Sequence, residues 1–361
     1  MLQGCKNSAY KERPELDFSL LKRLCETPGV PGQEGALRSV VTEAMRPLVD
    51  SIEVDVMGNV IGRKSAAGPK VMLAAHMDEI GFIVKHIDDK GFIRLQQLGG
   101  FDPRQMFAQR VIVHGKGGQL RGVLTYATKP KHMLSPEEAN KPPNITEFFV
   151  DVGQAADRVK NLVEIGDMVT MDRTVEQCGD GYIGKSMDDR VGVFVMLEAL
   201  RMLRSHQADI YAVATVQEEI GLRGALTAAY ALEPDIGIAL DITLANDFPG
   251  PSEFESVTRL GSGAAIKIMD SSLVCHPKLV DHFRQIARKE NIPHQMEILP
   301  AGGTDAGAIQ RSRGGSVSIT LSIPTRYVHT VNEMVNASDV EATATLLARY
   351  LEVAHEGNYA Y

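Results

Sequence analysis

The chain has 361 residues, 44% of them hydrophobic and 23% charged, with a formal net charge of -8. This is the balance of an ordinary globular protein, long enough for one large unit plus a smaller one, and it excludes a disordered or fibrous chain. Without a Lys/Arg stripe, a run of ~20 apolar residues or a C-x-x-C pair among four cysteines, the sequence points away from nucleic acid, membrane and disulfide chemistry and toward a soluble cytoplasmic protein.

Leu2-Gln3-Gly4-Cys5 imitates a lipoprotein cleavage site, but only Met1 stands where charged and apolar leader regions are needed, so lipidation is not expected. Helical spacing follows over 16–48, with Phe18, Leu21 and Leu24 on one face and Leu37, Val40, Val41 and Met45 on another. The Pro-Gly cluster at 28–32 separates the two helices. Residues 51–56 alternate as a strand, Gly58-Asn59 turns, and 60–63 returns as its partner. The apolar run 71–75 suits a strand buried on both faces.

From 81 to about 172, short apolar stretches alternate with glycines and prolines, the composition of a small β-barrel or sandwich. Within it, 129–144 is rich in Lys, Pro and Glu and reads as an exposed loop. Alternating helix and strand then return: helices over 188–203, 222–232, 279–290 and 337–353, strands over 210–216, 236–240 and 316–323. The expectation is an α/β/α sandwich with a mixed, largely parallel sheet, formed by 1–78 and 173–361 and interrupted by an inserted β unit at 79–172.

Polar residues fall where the buried strands end. His76 and Asp78 follow the first, Glu218 and Glu219 the second, Asp241 the third, and His329 the fourth; Asp188 opens a helix after Gly184. In open α/β sheets, ligands gather at the carboxyl ends of strands, so these residues converge on one crevice. Each has an ordinary explanation alone: a satisfied core histidine for His76, helix-end acids for Asp188 and Asp189, a solvated turn for Glu218-Glu219. Together they bring several carboxylates to buried strand ends, which is costly without compensating positive charge. A pair of divalent metals supplies it, and two imidazoles with three carboxylates suit Zn, Co or Mn better than Mg or Ca. One of His76, Asp188, Glu219, Asp241 and His329 would bridge the ions, which sit ~3.5–4 Å apart in such sites. Glu218, beside a ligating Glu219, is placed to act as general base, and Asp78 to orient His76. H-E-x-x-H and G-x-S-x-G are absent, which removes the single-zinc protease helix and the serine-hydrolase elbow.

These residues lie in segments that resemble the dinuclear metallopeptidases that include tetrahedral and glutamyl aminopeptidases. The segments are A-A-H-M-D-E-I-G-F-I-V (74–84), K-S-M-D-D-R-V-G (185–192), V-Q-E-E-I-G-L-R-G-A (216–225), A-L-D-I-T (239–243), G-G-T-D-A-G-A-I (302–309) and P-T-R-Y-V-H-T (324–330). They stand in family order across nearly the whole chain. Ser186 and Met187 depart from the Ala and Phe of many relatives.

The resemblance implies His76 and Asp241 on one metal, Glu219 and His329 on the other, and Asp188 between them. It implies Glu218 as base, Asp78 as orienting acid, and a substrate pocket lined by the 302–309 loop through Gly303, Thr304 and Asp305. The activity implied is removal of N-terminal amino acids from peptides by a metal-activated water. The β unit would carry dimerisation, with dimers building a twelve-subunit shell. Two rivals stand beside this: a metal-dependent deacylase of N-acyl amino acids or sugars, and a non-catalytic shell-forming protein. The preferred N-terminal residue stays open, with Arg259, Lys267, Arg311 and Arg313 available as cations for an acidic one.

Overall fold

The computed structural model describes residues 16–360, so the Leu2–Cys5 segment lies outside the described residues. An eleven-stranded mixed sheet forms the larger unit. Its centre is parallel: Asp209–Thr215, Lys70–His76, Ile236–Leu244 and Val317–Arg326 lie side by side in that order. The parallel character expected from the sequence holds for this centre. Both flanks run antiparallel, through the Ser51–Val54/Val60–Lys64 hairpin on one side and Glu333–Asn336, Gly181–Gly184 and Glu176–Cys178 on the other. Ala264–Met269 and His294–Ile298, which the sequence reading leaves unassigned, pair with each other and attach to Val317–Arg326.

Continuous apolar strands need cover on both faces, and helices supply it. On one face Phe18–Glu26, Gly35–Met45, Met187–Met202, Pro277–Lys289 and Ala337–Val353 bury Leu21, Leu37, Phe194, Phe283 and Leu347 against the sheet. On the other, Arg223–Leu232 and Asp305–Gln310 press Ala225, Ala229 and Ile309 onto Met72, Ala74 and Val213. The result is a three-layer α/β/α sandwich.

The smaller unit is a closed six-stranded antiparallel barrel made by Gly81–Ile87, Ile93–Leu98, Phe148–Asp151, Gly118–Tyr126, Gln109–Gly115 and Met168–Met171. Alternate side chains such as Phe82 and Val84, Val111 and Val113, and Phe148 and Val150 fill it, as a two-residue period requires. Closure leaves it no open sheet edge. Val331, from the loop that also carries His329, packs into the barrel core. Among the described residues, no helix is long and apolar enough to cross a membrane.

Candidate metal centre

The parallel strands place the chemistry. His76 ends its strand opposite Thr215, and Glu218 and Glu219 follow Thr215 by a few residues. Asp241 lies inside Ile236–Leu244, a strand four residues longer than its apolar run suggested. The ladder of this strand to Lys70–His76 stops at Ala239–Ala74, whereas its ladder to Val317–Arg326 continues to Leu244–Thr325. Two neighbouring strands therefore part just before Asp241, and the crevice opens between them. Asp188 heads the helix Met187–Met202 but does not have helical dihedrals (φ -74°, ψ 109°), so its side chain is not committed to a helix face. His329 sits in a loop with a φ of 60°.

These elements bring all five expected ligands together. Ligand atoms of His76, Asp188 and Asp241 lie within 4.8 Å of one another, as do those of Asp188, Glu219 and His329. Asp188 belongs to both sets: its Oδ1 is 3.1 Å from His76 Nε2 and its Oδ2 is 3.2 Å from His329 Nε2. His329 Nε2 also lies 3.4 Å from Glu219 Oε1, a buried oxygen without a hydrogen bond of good geometry. Glu218 Oε2 is 3.8 Å from His76 Nε2. His76 Nδ1 meets the main-chain carbonyl of Asp78 at 2.9 Å. A carbonyl only accepts, so Nδ1 carries a proton; without an ion Nε2 carries one as well and donates to Asp188 Oδ1, and loss of that second proton is what would free Nε2 to ligate. The Asp78 carboxylate lies 3.6 Å from Nδ1 and accepts instead from the amides of Glu218 and Glu219 at 3.0 and 3.1 Å.

Charge is concentrated here without full compensation. Burial pushes Glu218 and Asp241 well above the usual carboxylate range, although the neighbouring His76 opposes it. Burial works the other way on the imidazoles, yet Asp188 and Glu219 outweigh it and push His329 up to about 11. Burial also disfavours the Asp188 carboxylate, but His329 and His76 on either side hold it below its ordinary range. A bound cation would relieve both kinds of shift, stabilising the carboxylates and displacing protons from the imidazoles. The donor set, two imidazole nitrogens and carboxylate oxygens in two triads sharing one carboxylate, fits two divalent ions of the Zn, Co or Mn type.

Several contributors are invisible to sequence spacing. Glu333, four residues after His329, is 2% exposed and accepts from the amides of Asp188 (3.1 Å) and His329 (2.8 Å). Asp189 accepts from the His76 amide at 3.1 Å and from the Gly192 amide at 3.1 Å, and a Cβ on Gly192 would strike its carboxylate. The barrel touches the site as well. A Cβ on Gly99 would come within 3.0 Å of Glu219 Oε2, and one on Gly100 within 3.2 Å of His329 Nδ1. None of these belongs to a strand-end pattern; only the H-x-x-x-E spacing of His329 and Glu333 offers a signal.

A cavity of about 410 Å³ opens onto both triads and Glu218. Of the three residues expected to bind substrate, Gly303 and Thr304 line it. Asp305 is buried and accepts from the Thr215 hydroxyl at 2.6 Å; burial raises its carboxyl to about 6.

Known proteins share this arrangement of chain. The lysyl aminopeptidase of Pyrococcus furiosus is 36% identical over 93% of this chain and 97% of its own. An aminopeptidase structure from the archaeon Desulfurococcus kamchatkensis superimposes with a TM-score of 0.88 at 40% identity, covering 93% of this chain and 94% of the other. The TET1 peptidase of Pyrococcus horikoshii, which can assemble into a tetrahedron or a large octahedral shell, gives 0.82 at 29% identity over 92% and 98%. The family model for M42 glutamyl aminopeptidases matches residues 58–346, from the first sheet hairpin into the last helix. The chain belongs to the M42 glutamyl aminopeptidase family.

Proposed function

We propose that this protein removes N-terminal amino acids from peptides with two divalent metal ions. The observation that carries the reading is the division of Asp188, one oxygen toward His76 and the other toward His329. His76, Asp188 and Asp241 would hold one ion, and Asp188, Glu219 and His329 the other. Bound there, the pair supplies an acidified water and a Lewis acid for the peptide carbonyl.

Glu218 is the proton carrier. It belongs to neither triad, faces the same cavity, and is held in place because Asp78 fixes the main chain of both Glu218 and Glu219. It takes a proton from the attacking water and returns it to the leaving amine. The acidic groups around the triads give a free substrate ammonium a counter-charge, which an N-acylated substrate lacks. The barrel, taken as an inserted unit over 79–172, serves as the contact between subunits of a dimer, and dimers assemble into a dodecameric shell in the cytoplasm.

Glu218→Gln tests the assignment. It should keep both metals and lose about 10²–10⁴-fold in turnover of aminoacyl nitroanilides, the usual worth of a general base. Near wild-type turnover with normal metal content would remove Glu218 from the mechanism.

A further inference from the structure

We infer that the pocket beside the two triads selects an uncharged aliphatic N-terminal side chain, of leucine or methionine type. The inference rests on the aminopeptidase reading and departs from the acidic and basic preferences in the names of its relatives. Beyond the triads and Glu218, the wall of the 410 Å³ cavity is built from Ile242, Leu244, Leu299, Ala301, Gly303 and Val328. Its two hydroxyls are already engaged: Thr243 donates to Glu297 at 2.7 Å, and Thr304 bonds Thr320 at 2.7 Å.

An acidic side chain would need a cation, and each of the four that the sequence offered is placed elsewhere. Lys267 is fully buried, 2.6 Å from Glu297 and 3.5 Å from Asp270. Arg259 pairs with Glu253 at an exposed site. Arg311 donates to the Gly307 carbonyl, and Arg313 lies over Tyr230 and pairs with Glu233. A basic side chain would need an acid outside the metal cluster. Glu297 and Asp270 flank Lys267 and do not line the cavity, and Asp305, also outside the lining, accepts from Thr215. A charged side chain against this wall would lose its water and gain no partner outside the triads and Glu218, whereas an aliphatic one buries apolar surface against Leu244, Leu299 and Val328.

The test is a comparison of leucyl, methionyl, glutamyl and lysyl nitroanilides on the metal-loaded protein, with calorimetric binding of free L-leucine, L-glutamate and L-lysine beside it. Leucyl or methionyl substrates should exceed the charged ones in kcat/KM by about tenfold or more, and L-leucine should bind tightest. Turnover led by glutamyl or lysyl substrates overturns the pocket inference and leaves the aminopeptidase reading standing. No turnover of any substrate overturns the aminopeptidase reading; the binding order then decides the pocket, with leucine first supporting it and glutamate or lysine first overturning it. Leu299→Lys, which sets an ammonium on the wall, should raise the glutamyl-to-leucyl ratio at least tenfold. An unchanged ratio in a variant that melts like wild type overturns the assignment of this wall.

Discussion

Glu333 holds the main chain of Asp188: its Oε2 accepts from the Asp188 amide at 3.1 Å, while its Oε1 accepts from the His329 amide at 2.8 Å. One buried carboxylate therefore ties together the two segments on which the shared ligand and the last histidine stand. Glu333→Gln keeps the shape but leaves only one oxygen to accept, with an amide NH₂ facing the other N–H. Metal affinity, read by competition with a chelator, should fall about 10–100-fold, the usual cost of losing a group that orients ligands. Glu333→Asp should recover less than full affinity, because the shorter side chain cannot reach both amides. Unchanged affinity in Glu333→Gln would reduce Glu333 to a packing role.

Metal loading should release protons. In the metal-free protein His329 is pushed up to about 11 and His76 lies well above its ordinary value, so both rings are charged at pH 7 and must deprotonate to ligate. Affinity should therefore rise with pH across the range from 6 to 9. Calorimetry in two buffers of different ionisation enthalpy should show net proton release at pH 7. No buffer dependence would contradict the charged cluster.

The barrel presses on the second triad through Gly100, where a Cβ would stand 3.2 Å from His329 Nδ1. Gly100→Ala should weaken metal binding at that triad more than at the other, separable in a titration with Co²⁺. Gly314→Ala, where an added Cβ meets nothing within 4 Å, is the control. It should leave stability within about 0.5 kcal/mol of wild type.

Lys267 bears on stability in its own right. It is fully buried between Glu297 and Asp270, which are themselves 0% and 2% exposed. Lys267→Met strands two carboxylates without their cation, and urea unfolding should show a loss of about 3–5 kcal/mol. A loss under about 1 kcal/mol would mean that the acids find other partners or take up protons at little cost.

The legible part of this protein was whatever repeats along the chain. Apolar runs marked the central strands, so His76, Glu219 and Asp241 stood out as polar residues at their ends, and short strands between glycines marked the barrel. The last helix was readable at both ends, as Ala337–Val353. Asp188 was harder, because its pattern is that of a helix N-terminus while its backbone is not helical. Ala264–Met269 is apolar and buried but interrupted by Lys267, and His294–Ile298 is mostly polar and only partly buried, so neither stands out as a continuous apolar run. Glu333, Asp189 and the Gly99-Gly100 turn act through main-chain amides or close approach, and those contacts exist only once distant segments have met.

Metal stoichiometry tests the central claim most directly. Metal-free protein titrated with Zn²⁺ or Co²⁺ and assayed by elemental analysis should bind two ions per chain, and Asp188→Ala should weaken both sites together because each triad loses a ligand. One ion per chain in the wild type, or two at unchanged affinity in Asp188→Ala, would contradict a centre built on a shared Asp188.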